Sequence, residues 1–183
     1  MNERLDSTWK TKQLQLRDML KEDISDLQNC LLQLFNQSDW GEVSLEVYDQ
    51  KYFEQLIESP SLPPEGHRYQ VQNQTLLTQA GSRIIGWYEL YHGYPSVDTA
   101  WIGSFFIRPD FQGKGFGKEI ISGLLNKLEK DVKYHAAQLA VYSRNWKALR
   151  FWHQMGFDRI ARLSGDSDFG ADKNLKICLE NRF

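Results

Sequence analysis

The chain has 183 residues, of which 41% are hydrophobic and 25% charged, with a formal net charge of -2. This length fits one domain, and a domain of that size hides about 70% of its extended-chain surface, enough for a real core. The balanced charge has no basic block and disfavours nucleic acid as the main partner; no apolar run approaches the ~20 residues of a membrane span, and Met1–Asp6 lacks the apolar core of a signal peptide. Cys30 falls in a helical pattern and Cys178 in a strand pattern, so both read as free thiols of a reducing cytoplasm, with no metal site expected. Six Trp, eight Tyr and ten Phe imply a core of large residues or an aromatic-lined pocket.

Taken in chain order, residues 1–10 are polar and expected to be loose. Lys12–Arg17 alternates through Leu14 and Leu16, as a first strand would. Asp23 is placed to cap a helix from Ile24 to about Asn36, with Ile24, Leu27, Leu31 and Leu34 at helical spacing. Asp49 is placed to cap a shorter helix with Tyr52, Phe53, Leu56 and Ile57 on one face, and the proline-rich run Ser59–Gly66 ends it. Three strands are then expected, at Tyr69–Val71, Leu76–Ala80 and Arg83–Tyr91, with Gly81-Ser82 turning between the last two. His92–Asp98 is a further turn, leading to a strand at Thr99–Ile107.

The helix that follows carries Phe116, Ile120, Ile121, Leu124, Leu125 and Leu128 at a 3.6-residue period. A strand at Gln138–Tyr142, a helix from about Trp146 to Met155 stopped by Gly156, and strands at Phe157–Leu163 and Asn174–Leu179 complete the order. This mixture is an α/β (α+β) domain around a mostly antiparallel central sheet flanked by helices.

Between the strand ending at Ile107 and the long helix, Arg108–Lys118 reads R-P-D-F-Q-G-K-G-F-G-K. Glycines at 113, 115 and 117 leave the backbone bare at a helix start, where amide N–H groups and the helix dipole favour an anion such as pyrophosphate. A ligand-free glycine turn remains the plain alternative. A P-loop is excluded because Glu119 follows the last Gly-Lys, and a dinucleotide fingerprint because the spacing is G-x-G-x-G.

Gln112, Gly115 and Gly117 stand as Q-x-x-G-x-G after an apolar strand, and Asn145, Ala148, Phe151, Gly156 and Phe157 as N-x-x-A-x-x-F-x-x-x-x-G-F. The two segments, in this order and on these elements, resemble the GNAT superfamily of acyl-CoA-dependent N-acyltransferases. The resemblance is close over Arg83–Leu163, and Leu14–Asn36 also fits the start of such a domain. It implies one acetyltransferase domain over residues 1–183, acetyl-CoA as co-substrate with no metal, and a small-molecule or peptide amine as acceptor. It further implies that Thr99–Ile107 and Gln138–Tyr142 are parallel strands that splay apart to form the CoA cleft.

On that reading the backbone of Phe105, Phe106 and Ile107 takes the pantetheine arm. The loop Gln112, Gly113, Lys114, Gly115, Phe116, Gly117 and Lys118 takes the pyrophosphate, and Asn145 is a second contact unless it is only a helix cap. Gly103 inside its strand marks a bulge or a close backbone approach. The family's usual tyrosine acid is replaced here by Trp152, whose indole N–H donates a hydrogen bond but not a proton. Tyr142 is the substitute candidate. Glu89 is the candidate base, on a strand face shared with Ile85, Trp87 and Tyr91, where a carboxylate is partly desolvated. Asp98 and His92 are weaker candidates and read as turn or surface residues. A CoA-binding module with little catalysis, and a transferase for protein N-termini or lysines, stay open as alternatives. A homodimer is compatible with the chain.

Overall fold

A computed structural model describes residues 5–37, 50–58, 70–78, 83–166, 168 and 175–183. Among them, eight strands form one sheet: β1 (Thr8–Lys10), β2 (Leu14–Asp18), β3 (Gln70–Thr78), β4 (Ile84–His92), β5 (Thr99–Ile107), β6 (Ala136–Tyr142), β7 (Arg159–Gly165) and β8 (Leu175–Arg182). Four α-helices accompany them: α1 (Ile24–Gln37), α2 (Gln50–Glu58), α3 (Phe116–Lys130) and α4 (Trp146–Gln154). The strand order is β1-β2-β3-β4-β5-β6-β8-β7, and β5–β6 is the parallel pair in an otherwise antiparallel sheet. No helix among the described residues is long and apolar enough to cross a membrane.

The central strands are covered on both faces, while the edge strand β7 is largely exposed. On one, Leu16, Tyr88, Leu90 and Ile102 pack with Ile120, Ile121 and Leu124 of α3 and Trp152 of α4. On the other, Ile84 and Trp87 pack with Leu27 and Leu31 of α1 and Phe53 and Leu56 of α2. A smaller cluster of Val71, Tyr91, Tyr94, Trp101 and Cys178 extends this second face toward β8. Both helix pairs follow directly from the 3.6-residue apolar spacing, since each buries one stripe and leaves the rest to solvent.

Several boundaries differ from the sequence expectation, each for a non-local reason. Residues 5–10 are tied down rather than loose. Trp9 is buried, its Nε1–H donates to Gln74 Oε1 at 2.8 Å, and β1 pairs with β2. The two short strands expected at 69–71 and 76–80 are one strand, β3. Its polar centre is held inside the protein: Gln74 Oε1 also accepts from the Tyr88 hydroxyl at 2.5 Å, and Gln72 and Gln74 donate to the backbone of Leu5–Ser7. Asp23 does not cap α1. It closes a short 3-10 turn, Lys21–Asp23, accepting from the Leu20 N–H at 2.9 Å and from both Arg17 terminal nitrogens at 2.6 Å. Burial opposes the charge of that carboxylate, but the Arg17, Leu20 and Thr75 donors win and hold its pKa below the ordinary value. The expected Asp49 cap, the Ser59–Gly66 loop and the Gly81-Ser82 turn lie outside the described residues.

Two bulges set which side chains face the site. Leu76 pairs with Gly86 but Leu77 with Ile84, so Ile85 is an extra residue in β4. It therefore joins the α3–α4 side, not the Trp87–Tyr91 side where strict alternation would put it. On the other edge of β4, Tyr88 pairs with Phe105 and Leu90 with Ile102, so β5 carries one extra residue at Gly103–Ser104.

Candidate active site

Strands β5 and β6 share a register over Thr99–Ile102 and Ala136–Leu139, and no further. Beyond that point β5 stays paired to β4 as far as Ile107, and β6 to β8 as far as Tyr142. The parallel pair thus opens like a fork just where the β5 bulge lies. Gly103 permits this close packing: a Cβ there would stand 2.5 Å from the Tyr91 ring and 3.4 Å from Glu89 Cβ.

The glycine loop sits at the end of the opened strand. A 3-10 turn, Pro109–Phe111, follows Arg108 and leads into it. Gly113 and Gly115 have φ of +72° and +86°, the left-handed region, and a Cβ on either would meet nothing within 4 Å. Glycine is required there by backbone conformation and not by crowding; any other L-residue is strained by roughly 1–2 kcal/mol. Gly115 is the N-cap of α3, and Glu119 is the first residue whose N–H finds a helical acceptor, the Gly115 carbonyl. The amides of Gly113, Lys114, Gly115, Phe116, Gly117 and Lys118 have no acceptor among the described residues; a helix start accounts for the last four, and Gly113 and Lys114 extend the row into the loop. They form a row of donors, exposed at Gly113–Gly115 and Lys118 and half-buried between, at the positive end of a 15-residue helix.

Gln112 does not contribute its backbone amide to this row. Its N–H is shared between the carbonyls of Arg108 and Pro109, both at 3.1 Å, because the 3-10 turn closes onto it. Its side chain instead donates to the Ile107 carbonyl at 2.8 Å and fastens the loop to the end of β5. Phe111, which no motif singled out, is ringed by cations: Arg83, Arg108 and Lys114 lie 5.0, 5.6 and 5.1 Å from its ring centroid. Asp110 pairs with both arginines, at 3.2 and 3.1 Å, so the positive charge beside the loop is held in place.

Glu89 lies on the α1–α2 face, next to the bulge, and is buried. Tyr52 of α2 donates its hydroxyl to one carboxylate oxygen at 2.6 Å, and Tyr91 donates to the other at 3.2 Å. Trp87, two residues back on the same face, stacks on Phe106 with ring centroids 4.5 Å apart. Two buried polar atoms on this face, Asn73 Oδ1 and Trp87 Nε1, have no partner among the described residues. Leaving a buried polar atom unpaired costs about 1–3 kcal/mol, so each asks for a reason.

Trp152 is buried on the opposite face, edge-on to Phe105, Phe151 and Phe157 at 5.7, 5.0 and 5.2 Å. Tyr142, at the end of β6, alternates with core-facing Val141 and therefore shares the Glu89 face; it is 38% exposed, with Lys176 Nζ 5.0 Å from its ring. Asn145 caps α4 through its side chain: Oδ1 accepts from the Ala148 N–H at 3.0 Å, and its own carbonyl accepts from Leu149. Its Nδ2 is the donor left over. His92 is not a surface residue. It is buried on the far face from Glu89, with Nδ1 2.5 Å from the Tyr134 hydroxyl and Nε2 3.1 Å from Gln72 Oε1. Asp98 accepts from Ser96 in the turn before β5, at the end of that strand remote from the loop, and this bond lowers its pKa.

The model of the acetyltransferase (GNAT) family matches residues 32–157, more than half of the chain. A spermine/spermidine N(1)-acetyltransferase of Bacillus subtilis is 28% identical over 92 residues, which are 47% of this chain and 58% of that protein. The chain thus spans less than two thirds of the length of the curated relatives it matches. Among solved structures, an acetyltransferase from Salmonella typhimurium that modifies the N-terminal serine of a ribosomal protein superposes with a TM-score of 0.70 at 15% identity, over 94% of this chain and 96% of the other. The PaiA N-acetyltransferase of Thermoplasma acidophilum, solved with coenzyme A, superposes with a TM-score of 0.63 at 15% identity, over 93% and 99%. These two likenesses show the fold. With the matched family model, the forked parallel pair and the glycine loop at its end, the chain belongs to the GNAT acetyltransferase family.

Proposed function

We propose that the protein transfers an acetyl group from acetyl-CoA to a primary alkyl amine. The observation that carries this reading is the fork between β5 and β6, ending in a row of six backbone donors with no acceptor among the described residues. The residues fit the co-substrate. The amides of Gly113–Lys118 suit a pyrophosphate, the positively ringed Phe111 adds charge beside it, and the open edges of β5 and β6 suit a ligand with amides of its own. Asn145 Nδ2 offers one further donor across the fork. Acetyl-CoA supplies the activated acyl carbon and, as leaving group, a thiolate that takes up a proton.

The chain's own part is to bind, orient and receive a proton. Glu89 is the proton acceptor for an incoming ammonium, positioned by the Tyr52 and Tyr91 hydroxyls and set against the bulge that opens the fork. Tyr142 lies on the same face and is the candidate proton donor. Trp152 packs against Phe105 and donates no proton. Helix α2 reaches over Glu89 through Tyr52, which narrows the approach. A slender aliphatic arm fits it better than a folded polypeptide end, and the polyamine activity in the name of the Bacillus subtilis relative agrees with that class.

The test is purified protein with acetyl-CoA and a panel of amines, followed by free-thiol release. Amine-dependent release is expected. Coenzyme A binding without release for any amine would favour a binding module instead.

A further inference from the structure

Asn73 stands on β3 directly opposite Glu89 on β4. Directly opposed residues project to the same face with Cβ atoms about 5 Å apart. Asn73 is 9% exposed. Its Nδ2 donates to the Leu56 carbonyl in the last turn of α2 at 2.6 Å, which fixes the amide with its nitrogen toward the helix. The oxygen is therefore the other branch, and it is buried with no donor among the described residues. Beside it, Glu89 accepts two hydroxyls, and a carboxylate has lone pairs for about two donors more. Two hydrogen-bond acceptors with unused capacity thus project to one face from directly opposed positions.

We propose that Asn73 is a specificity-determining residue of the acceptor site: its Oδ1 and the Glu89 carboxylate together hold one nitrogen that carries several N–H groups. This rests on the amine-acetyltransfer reading above. An alkylammonium brings three N–H donors. After one proton passes to Glu89, two remain, so one still reaches Asn73. A secondary amine in the same state keeps a single N–H, which Glu89 and Asn73 must compete for. The pair therefore selects primary amines by donor count, a criterion independent of the aromatic walls.

The experiment compares wild type, Asn73→Ala and Asn73→Asp, as full chains, with propylamine, N-methylpropylamine and spermidine as probes. Thiol release, calorimetric amine binding and thermal unfolding are read for each. Wild type is expected to prefer propylamine over its N-methyl derivative. Asn73→Ala should raise the KM for propylamine by roughly ten- to a hundredfold and shrink that preference, with the KM for acetyl-CoA unchanged. Asn73→Asp keeps an oxygen toward the amine but loses the Leu56 bond, so it should recover the low KM while unfolding at a lower temperature. If both variants only lower the unfolding temperature and leave amine KM and preference intact, Asn73 is structural and the proposal falls, while the acetyltransfer reading stands. Equal use of the two propylamines by wild type would overturn it without any variant. If wild type neither binds nor acetylates any probe, the reading itself falls and the pair with it.

Discussion

Replacing Gly115 by Glu separates the glycine loop's conformational role from its ligand role. Gly115 has φ of +86°, and a Cβ there meets nothing within 4 Å, so any side chain points into open space where the anion is proposed to lie. An alanine costs roughly 1–2 kcal/mol of left-handed strain. That cost is present with and without coenzyme A, so Gly115→Ala should lower stability yet leave affinity within a few-fold. A carboxylate about 6 Å from each of two phosphate charges adds repulsion of about 1.4 kcal/mol at the dielectric of water and about 5.5 kcal/mol at an effective value of 20. Gly115→Glu should therefore weaken coenzyme A binding roughly ten- to ten-thousand-fold relative to the alanine variant. In the free protein the sign reverses, because an anion at a helix N-terminus is favourable by about 0.3–1 kcal/mol. The Glu variant should unfold no earlier than the Ala variant while binding far worse. Calorimetric titration with coenzyme A, paired with thermal unfolding, reads both. Equal affinity of the two variants would refute the placement of the pyrophosphate.

Three further outcomes follow from named contacts. Gly103→Ala puts a Cβ 2.5 Å from the Tyr91 ring and displaces the hydroxyl that positions Glu89, so amine turnover should fall with coenzyme A affinity kept; equal turnover would show that the bulge plays no part in the site. Asp23→Asn should cost about 2–4 kcal/mol in denaturant unfolding at pH 7, since it breaks the bidentate Arg17 pair. Because the folded pKa of Asp23 lies below the unfolded value of 3.8, this stabilisation is full above that value and is lost as pH falls through the folded one; the gap between wild type and variant should therefore shrink on acidification. Burial pushes the Cys30 thiol up to about 11, against the opposing pull of Arg108, so at pH 8 it should resist thiol reagents until the protein is unfolded.

The strand and glycine loop of the candidate site were legible because their signals are local. The apolar run at Thr99–Ile107 is a strand, the glycines at 113 and 115 answer to backbone angles that few other residues adopt, and the 3.6-residue period of α3 begins right after them. The Glu89 face was legible only in part. Glu89 stood out as a carboxylate among aromatics, but its face depended on a bulge: strict alternation placed Ile85 beside it, and one extra residue moved Ile85 to the opposite core. Asn73 gave no signal. In Gln70–Thr78 the polar residues look like an interruption, and what buries them are partners up to 68 residues away, in the N-terminal segment and α2. Trp9 was hidden for the same reason, as its Gln74 acceptor lies 65 positions on. Periodicity reports which face a side chain takes along one element. It says nothing about which element covers that face.

The most direct test of the central claim is amine-dependent thiol release from acetyl-CoA by wild type and by Glu89→Gln, with coenzyme A affinity measured on both. The account predicts release by wild type, a loss of roughly 10²–10⁴-fold in the variant, and unchanged affinity. Release by the variant at the wild-type rate would contradict Glu89 as the proton acceptor, and no release by wild type with any amine would contradict the acetyltransfer itself.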